Sequence, residues 1–199
     1  MNWTVIRCTR ICIAGWRSIS KGKMIKERFD LPGVTTTELM NRIKLEEIRD
    51  DELVQLHEMQ VKSFMPLYEK YHDDMSPAIE SVDRVKARAK QEGRKYYFIV
   101  KDGARVGAIN IGNKSFEESK TCFYISPIFI LPQYQNQGIG YVAIQKAFAL
   151  YPEATVWKLD TILQESANCH LYEKCGFVKT GETYVINEFM TLINYERQV

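Results

Sequence analysis

A glycine-containing loop between an apolar run and a helix-forming run is the feature that most limits how this chain can fold. The loop reads PQYQNQGIGY (132–141), directly after the apolar run 122–131 and before the helical stretch 141–151. The first turn of a helix has N–H groups without partners and carries partial positive charge, so a phosphate can settle there if no bulky side chain intervenes. Gly138 and Gly140 leave the backbone bare at this point. The order strand, glycine loop, helix therefore predicts an anion site.

The glycine spacing alone fits two cofactor classes. Gly138, Gly140 and Ala143 also match the dinucleotide pattern G-x-G-x-x-A, and Asp160 lies where an acid that binds a ribose would be sought. That pattern, however, needs its first glycine in the tight turn right after the strand, whereas residues 133–137 intervene here. The chain also lacks the repeated strand and helix units of a dinucleotide-binding fold. We therefore place a dinucleotide-dependent oxidoreductase last among the functions considered.

Two motifs at a matching distance indicate a different class. Gln135, Gly138 and Gly140 match the signature Q/R-x-x-G-x-G/A of the GCN5-related N-acetyltransferase (GNAT) family, and the preceding strand ends in the family's apolar-x-Pro pattern at 130–132. Downstream, LYEKCGF at 171–177 resembles the family's (L/F)YEKxGF helix end. The chain is therefore similar to GNAT acetyltransferases, and the resemblance implies their fold, cofactor and activity.

The resemblance, which covers roughly residues 42–195, implies an α/β (α+β) fold. Its centre would be a mixed, mostly antiparallel sheet of about six to seven strands flanked by helices, in which two parallel strands splay apart and bind the cofactor. The strand 121–131 contains Pro127, which cannot donate to a β-ladder, so we expect a bulge or a local loss of pairing there. The strand 155–163 would be its partner across the gap.

Hydrophobic spacing and turn residues predict the remaining elements. Apolar residues at helical spacing indicate a helix that Asp50 and Asp51 cap, with Pro66 marking a break or kink. Ser76 and Pro77 would start a second helix. The other predicted ranges are a first strand at 42–49, hairpin strands at 96–100 and 105–111 joined by an Asp-Gly turn, a helix at 167–174, and a final hairpin at 177–195.

Length and composition indicate one domain with a core of its own, because the chain has 199 residues and 45% of them are hydrophobic. Six Lys or Arg residues and no acid precede Glu27. We therefore expect residues 1–39 to be a basic N-terminal extension that is disordered or outside the domain, and residues 40–199 to be a single acetyltransferase domain. A targeting peptide, an interaction tail, or sequence upstream of a start at Met24 or Met40 would each explain the extension.

The charge pattern and the cysteines argue against several classes of function. The formal net charge is +2, and since basic residues concentrate at the N terminus, the domain itself lacks the profile of a nucleic-acid-binding protein. No apolar run approaches the roughly 20 residues that cross a membrane. The five cysteines form no CxxC pair and no ligand pattern with the three histidines. We expect a cytoplasmic protein with reduced thiols and no zinc or other metal, and a homodimer remains open.

The resemblance implies acetyl-CoA as the acetyl donor, held mainly by backbone groups. In this family the loop amides hold the pyrophosphate of coenzyme A, and the preceding strand hydrogen-bonds the pantetheine arm. Gln135 belongs to the signature, and the amide of Phe129 or Ile130 would face the carbonyl oxygen of the acetyl group. The residues implied for the pyrophosphate are Asn136, Gln137, Gly138, Ile139, Gly140 and Tyr141, and those implied for the pantetheine arm are Ile128, Phe129 and Ile130.

Two residues are candidates for catalysis. Tyr172 matches the family's general acid, which faces the departing sulfur; because a phenol (pKa about 10) is a weaker acid than a thiol (about 8.5), hydrogen bonding to the thiolate would suffice. The plainer alternative is a tyrosine packed at a helix end. Asp160 lies near the end of the partner strand, where some relatives place a glutamate that accepts the amine's proton, and a solvated strand-end carboxylate explains it equally well. His170, on the opposite helix face from Tyr172, is expected at the surface or in packing.

One position departs from the family pattern. The family has an asparagine that contacts the cofactor seven residues before the catalytic tyrosine, and this chain has Glu165 there. Asn168 lies one helical turn before Tyr172, on the same face, and is the candidate substitute as a cofactor-binding residue. The departure concerns the thiol end of the site and not the pyrophosphate end.

These observations favour an N-acetyltransferase that transfers the acetyl group of acetyl-CoA to a primary amine of a small molecule or peptide, by direct attack in a ternary complex. No cysteine stands out as a nucleophile that would carry the acetyl group. A non-catalytic acyl-CoA-binding regulatory module is the alternative, against which Tyr172 argues and which Glu165 slightly favours. Acidic residues outnumber lysines in the first two helices, which favours a cationic amine, although a solvated helix face explains them more simply.

Overall fold

The computed structural model describes residues 35–113 and 121–199. Within those residues it contains five α-helices, seven strands and two short 3₁₀ turns, Asp50–Glu52 and Pro132–Tyr134. The helices are α1 (Thr36–Arg42), α2 (Leu53–Tyr71), α3 (Val82–Ala89), α4 (Ile139–Leu150) and α5 (Ser166–Lys174). The strands are β1 (Ile43–Glu47), β2 (Arg94–Lys101), β3 (Ala104–Asn113), β4 (Cys122–Ile130), β5 (Val156–Ile162), β6 (Val178–Asn187) and β7 (Met190–Gln198).

The strands of the described residues join one sheet in the order β1-β2-β3-β4-β5-β7-β6. Neighbouring strands are antiparallel except β4 and β5, which are parallel. This arrangement confirms the predicted fold class, a mixed and mostly antiparallel sheet of about six to seven strands flanked by helices.

The parallel pair separates soon after it begins. Strands β4 and β5 pair only from Cys122–Tyr124 to Val156–Lys158, and beyond that point β4 pairs with β3 and β5 pairs with β7. The β3–β4 register gains one residue on the β4 side, between Ile125 and Ile128, where Pro127 lies. The predicted bulge and the predicted splay of the two parallel strands are both confirmed.

A layer of helices covers each face of the sheet. On one face, α4 and α5 pack through a core cluster that includes Val142 and Tyr172. On the other face, α2 and α3 pack through a second cluster that includes Phe64 and Val85. Strand β4 contributes to both clusters, because successive side chains of a strand point to opposite faces. Within the described residues, none of the helices combines the length and the apolar character that a membrane span requires.

Helix α1 is an element that the sequence reading missed. Its N-cap is Thr35, and Thr35 and Glu38 form a capping box in which the Glu38 N–H donates to Thr35 Oγ1 at 3.2 Å. Leu39 is only 6% exposed and packs in the core cluster with α4. The predicted boundary after residue 39 therefore falls inside this helix, and the rest of the predicted extension, residues 1–34, lies outside the described residues.

Helix α2 runs through Pro66 instead of breaking there. Phe64 and Leu67 on either side of the proline are both buried against the sheet, and this burial offsets the hydrogen bond that proline removes from a helix interior. The helix ends at His72, whose left-handed backbone (φ 49°) brings its N–H to the Tyr68 carbonyl at 2.8 Å.

Helix α3 begins later than predicted. Its N-cap is Ser81, whose side chain accepts the Arg84 N–H at 3.3 Å, and not Ser76 or Pro77. Gln60 Nε2 of α2 donates to the Pro77 carbonyl at 3.0 Å, which holds that carbonyl in a loop contact outside any helix. The tertiary contact therefore overrides the local Ser-Pro signal.

The close contact between β3 and β4 generates a stability prediction. A Cβ on Gly107 would lie 2.2 Å from the Phe129 carbonyl oxygen, so Gly107→Ala must displace β4 and should cost about 1–3 kcal/mol of unfolding free energy. The matched control is Gly112→Ala in the same strand, where the added Cβ would meet only the flexible Arg94 side chain at 3.4 Å. Urea unfolding measures both variants, and equal midpoints would contradict the prediction.

Candidate active site

The loop before α4 leaves the start of that helix open. Gly138 is the N-cap residue, with a left-handed backbone (φ 70°) and no side-chain cap on the helix. The Val142 N–H donates to the Gly138 carbonyl at 3.1 Å, so the N–H groups of the three residues before it point out of the helix end. Together with the positive end of the helix dipole they form a surface that favours an anion.

Two glutamine side chains fix this loop to the sheet. Gln135 Nε2 donates to the Ile130 carbonyl at 2.9 Å, which ties the loop back to the end of β4. Gln137 Oε1 accepts from Lys101 Nζ at 2.6 Å, which ties it to the end of β2. Gln135 therefore positions the loop. The carbonyl that accepts its hydrogen bond belongs to the strand that the sequence predicts to bind the cofactor.

A cleft lies between this loop and α5, enclosing about 480 Å³ of space with open solvent included. Seven of the eleven residues predicted to bind the cofactor line it, namely Ile130, Gln135, Asn136 and residues 138–141. The sequence reading missed Tyr134, Ala167, His170 and Leu171, which also line it. The last three share one face of α5, as their spacing at i, i+3 and i+4 shows, and the helical pattern is the signal that could have identified them.

Ile128, Phe129, Gln137 and Asn168 do not line the cleft. The first two residues are at most 1% exposed, and the Phe129 ring packs edge-on against Phe64 with 5.7 Å between centroids. Their side chains therefore belong to the core. Only the backbone of this part of β4 can face the gap between β4 and β5. The sequence likewise predicts that this segment contacts the cofactor through its backbone.

Tyr172 and Asn168 lie on the buried face of α5. Tyr172 is fully buried, with its ring centroid 6.2 Å from that of Phe177 and 6.1 Å from that of Tyr195. Asn168 is 2% exposed, and its Nδ2 has no hydrogen-bond partner among the described residues. A buried polar group without a partner costs about 1–3 kcal/mol.

Glu165 connects α5 to α2 instead of facing the cleft. Its Oε1 accepts from Lys70 Nζ and from the Tyr71 hydroxyl, each at 2.6 Å. The hydrogen bond to Glu165 raises the pKa of the Lys70 ammonium, and burial followed by the same carboxylate raises the pKa of the Tyr71 phenol. Glu165, at the position of the family asparagine, therefore links the start of α5 to the end of α2.

Asp160 lies on the opposite side of the sheet from Tyr172. It is half-buried in the middle of β5, where it pairs with Asn194 of β7. Alternation along the strand places it on the same face as Ile162, which packs in the α2 layer. His170 is exposed, as the sequence predicts, but at the edge of the cleft.

Two lysines that the sequence reading missed flank the helix start. Lys101 contacts the loop through Gln137, and Lys174 Nζ lies 5.7 Å from the centroid of the Tyr141 ring. Each adds positive charge beside the anion-binding surface. Among the described residues, no three His, Cys, Asp or Glu side chains are grouped as metal ligands.

The sheet is mixed and opens between two parallel strands, and an uncapped helix start lies at the mouth of the opening. This arrangement is the fold of a transferase that uses an acyl-CoA donor. Residues 53–177 match the model described as the acetyltransferase (GNAT) family. That match covers more than half of the chain, and the protein therefore belongs to the GNAT acetyltransferase family, as its two motifs indicated.

The chain is also similar to one curated protein and to solved structures. The uncharacterized protein YrkN of Bacillus subtilis (strain 168) is 29% identical over 140 residues, which covers 68% of this chain and 73% of YrkN. A Vibrio cholerae spermidine N-acetyltransferase in complex with CoA and spermine has a TM-score of 0.64 at 16% identity, covering 79% of this chain and 96% of that one. AAC(6')-Ib in complex with ribostamycin and coenzyme A has a TM-score of 0.62 at 16% identity, covering 78% and 93%. At such low identity, the two structures show a shared fold.

The contact between Glu165 and Tyr71 is expected to stabilise the fold by linking the end of α2 to the start of α5. Replacing Glu165 by Met and Tyr71 by Phe removes the acceptor and the donor of the 2.6 Å hydrogen bond. A double-mutant cycle on the free energy of unfolding should give a coupling of about 1–3 kcal/mol, because the acceptor is charged.

The matched control for this cycle combines Tyr71→Phe with Glu173→Met. Glu173 is also on α5, but its Oε1 accepts from Tyr195 at 2.9 Å. That pair should be additive within about 0.5 kcal/mol. A coupling for Glu165 no larger than for Glu173 would show that the contact does not join the two helices.

Proposed function

We propose that this protein is an acetyl-CoA-dependent N-acetyltransferase that acts on the primary amine of a small molecule or peptide by direct attack in a ternary complex. The observation that carries the proposal is the uncapped start of α4 at the mouth of the gap between β4 and β5. A helix start without a side-chain cap accepts a phosphate, and a strand with a free edge accepts an extended chain. Coenzyme A offers both groups in one molecule.

The binding residues are proposed from this arrangement. The amides of residues 136–141 would hold the pyrophosphate, with Lys101 and Lys174 adding charge on either side. The backbone of residues 128–130 would hydrogen-bond the pantetheine arm along the edge that β4 turns to the gap. Coenzyme A supplies the activated thioester, and the unpartnered amide of Asn168 supports its assignment as a further donor to it.

The chemical roles follow from what acetyl transfer to an amine requires. An alkylammonium with a pKa of about 10 is less than about 0.1% neutral at pH 7, so a group must accept its proton, and Asp160 on β5 is the proposed acceptor. The amide of Phe129 or Ile130 would stabilise the oxyanion. The Tyr172 hydroxyl would donate to the departing thiolate.

Direct attack is favoured over an acetyl-cysteine intermediate. Burial raises the pKa of Cys175 to about 12, so its thiol is almost wholly protonated at neutral pH and is a poor nucleophile. Cys169 is buried as well. The amine is therefore proposed to attack the thioester itself.

The test of the proposal is release of free thiol from acetyl-CoA in the presence of amines of different classes: monoamines, polyamines, aminoglycosides and peptide N termini. Amine-dependent release with an N-acetylated product supports it. A protein that binds acetyl-CoA tightly but releases no thiol with any of these amines would instead be the acyl-CoA-binding module.

Replacing Tyr172 by Phe is expected to lower kcat at least about tenfold with little change in the affinity for coenzyme A, because only the interaction with the developing thiolate is lost. The matched control is Tyr195→Phe, which loses a hydroxyl from the same ring cluster through its contact with Glu173. Steady-state kinetics and calorimetric binding measure the two effects. Turnover of Tyr172→Phe equal to that of the control would remove Tyr172 from the mechanism.

Replacing Lys101 by Met is expected to weaken coenzyme A binding about three- to fivefold at low salt, because a partly exposed charge near a phosphate contributes up to about 1 kcal/mol. The difference should shrink at high salt, and pantetheine, which lacks phosphates, should bind both proteins equally. The control is Lys95→Met in the same strand, where Lys95 pairs with Glu47 at 2.9 Å. An equal loss for the control, or for pantetheine, would contradict a role for Lys101 in phosphate binding.

A further inference from the structure

Thr161 of β5 has a buried hydroxyl without a hydrogen-bond partner. The residue is 0% exposed, and no group within residues 35–113 and 121–199 contacts its Oγ1 in a hydrogen bond. A buried polar group without a partner is costly, so each one in a folded protein needs an explanation. Valine has nearly the same shape and no polar atom to bury, so packing alone does not account for threonine at this position.

Strand geometry places Thr161 on the side of the sheet that α5 covers. Successive side chains of a strand alternate between its two faces. The preceding residues on this face of β5, Trp157 and Leu159, pack in the core cluster that contains Tyr172. Across the ladder, Thr161 pairs with Ile193 of β7, which belongs to the same cluster. Thr161 and Tyr172 therefore lie on one side of the sheet.

Thr161 also lies beside the gap in the sheet. Strand β5 pairs with β7 along its whole length, but its pairing with β4 ends at Lys158, so the edge of β5 that faces β4 is open from there on. When the parallel register is continued past Lys158, Thr161 falls opposite Pro127. Pro127 directly precedes the segment 128–130 that is proposed to hold the pantetheine arm. Thr161 is therefore at the level where the inner end of that arm, with its sulfur, would lie.

Helix α5 brings a second unpartnered group to this end of β5. Cys169 Sγ lies 3.9 Å from the carbonyl oxygen of Ile162, the residue after Thr161. The neighbouring Asn168 is 2% exposed, and its Nδ2 has no partner in the described part of the chain. Ala167, next along the helix, lines the coenzyme A cleft. The cleft therefore reaches the residue adjacent to this buried amide.

We propose that Thr161 is a further catalytic residue, whose hydroxyl donates a hydrogen bond to the sulfur of coenzyme A as the thioester breaks. The inference rests on the acetyl transfer proposed above. In that step the carbon–sulfur bond breaks with its electron pair on sulfur, and the proton of the amine passes to the base. The Thr161 hydroxyl keeps its own proton and stabilises the negative charge that develops on sulfur.

A thiolate that forms in a buried gap needs several donors, because a charge away from water is costly unless it is hydrogen-bonded. The asparagine that the family uses near this point is replaced by Glu165, whose carboxylate accepts from Lys70 and Tyr71 instead. Thr161 supplies a donor from the sheet where the helix lacks that asparagine.

The test compares wild-type protein with Thr161→Val, which removes the hydroxyl at nearly constant volume, and with Thr161→Ser, which keeps it. Thr161→Val should lower kcat with acetyl-CoA at least about tenfold. At a pH of about 9, where most of a free thiol is ionised, it should also weaken coenzyme A binding at least about threefold. Its affinity for desulfo-coenzyme A, which lacks the sulfur, should stay unchanged. Thr161→Ser should remain close to wild type in kcat and in both affinities.

Urea unfolding separates this role from packing. The midpoint of Thr161→Val should equal or exceed that of wild-type protein, because an unpartnered hydroxyl is removed, whereas Thr161→Ser should be less stable because it loses a buried methyl group. If Thr161 only packs, turnover should follow the same order, with the serine variant slower than the valine variant. That order, or an equal loss of affinity for coenzyme A and desulfo-coenzyme A, would overturn the inference.

The matched control is Thr155→Val at the paired end of β5, where the exposed hydroxyl lies 2.8 Å from that of Thr121. It should leave turnover and both affinities unchanged. Turnover of Thr161→Val equal to that of the control would overturn the inference while leaving acetyl transfer standing. Absence of thiol release with every amine would overturn the proposed function. In that case, weaker binding of coenzyme A but not of desulfo-coenzyme A by Thr161→Val would still support the contact with sulfur, and its absence would overturn both.

Discussion

The parting of β4 and β5 after three paired residues is the constraint on which the rest of the site depends. Parallel neighbours normally pair along their whole length, and here each strand is drawn to its other neighbour, β4 to β3 across the bulge at Pro127 and β5 to β7 without interruption. Gly107 lets β3 approach the Phe129 carbonyl closely. Each strand therefore keeps its hydrogen bonds to its outer neighbour. A gap opens between the two strands in an otherwise continuous sheet.

The two sides of that gap differ in charge. The cleft on the α4 side has an uncapped helix start with Lys101 and Lys174 beside it, which suits phosphates. A small cavity on the α2 side has one buried carboxylate, that of Asp73, and apolar walls.

Much of the fold was readable from local signals. The loop 132–141 and the bulge at Pro127 within β4 follow from local glycine, proline and apolar spacing. The start of α3 was predicted wrongly, because Gln60 of another helix competes for the Pro77 carbonyl. The cleft residues of α5 were missed for a related reason. Which face of a helix lines a cavity depends on the neighbouring helix, and α4 supplies that neighbour only in the folded chain.

Glu165 shows how a change at one position is accommodated at another. Its carboxylate is taken up by Lys70 and Tyr71 of α2, so it is not available at the position where the family has a cofactor-binding asparagine. One turn further along the helix, Asn168 has a buried amide nitrogen without a partner in the described part of the chain. A bound molecule that offers an acceptor oxygen would recover the free energy that this group loses by burial. The same contact fixes Tyr71 of α2, which lies on the other side of the sheet from the cleft, so one carboxylate positions groups on both sides of the gap.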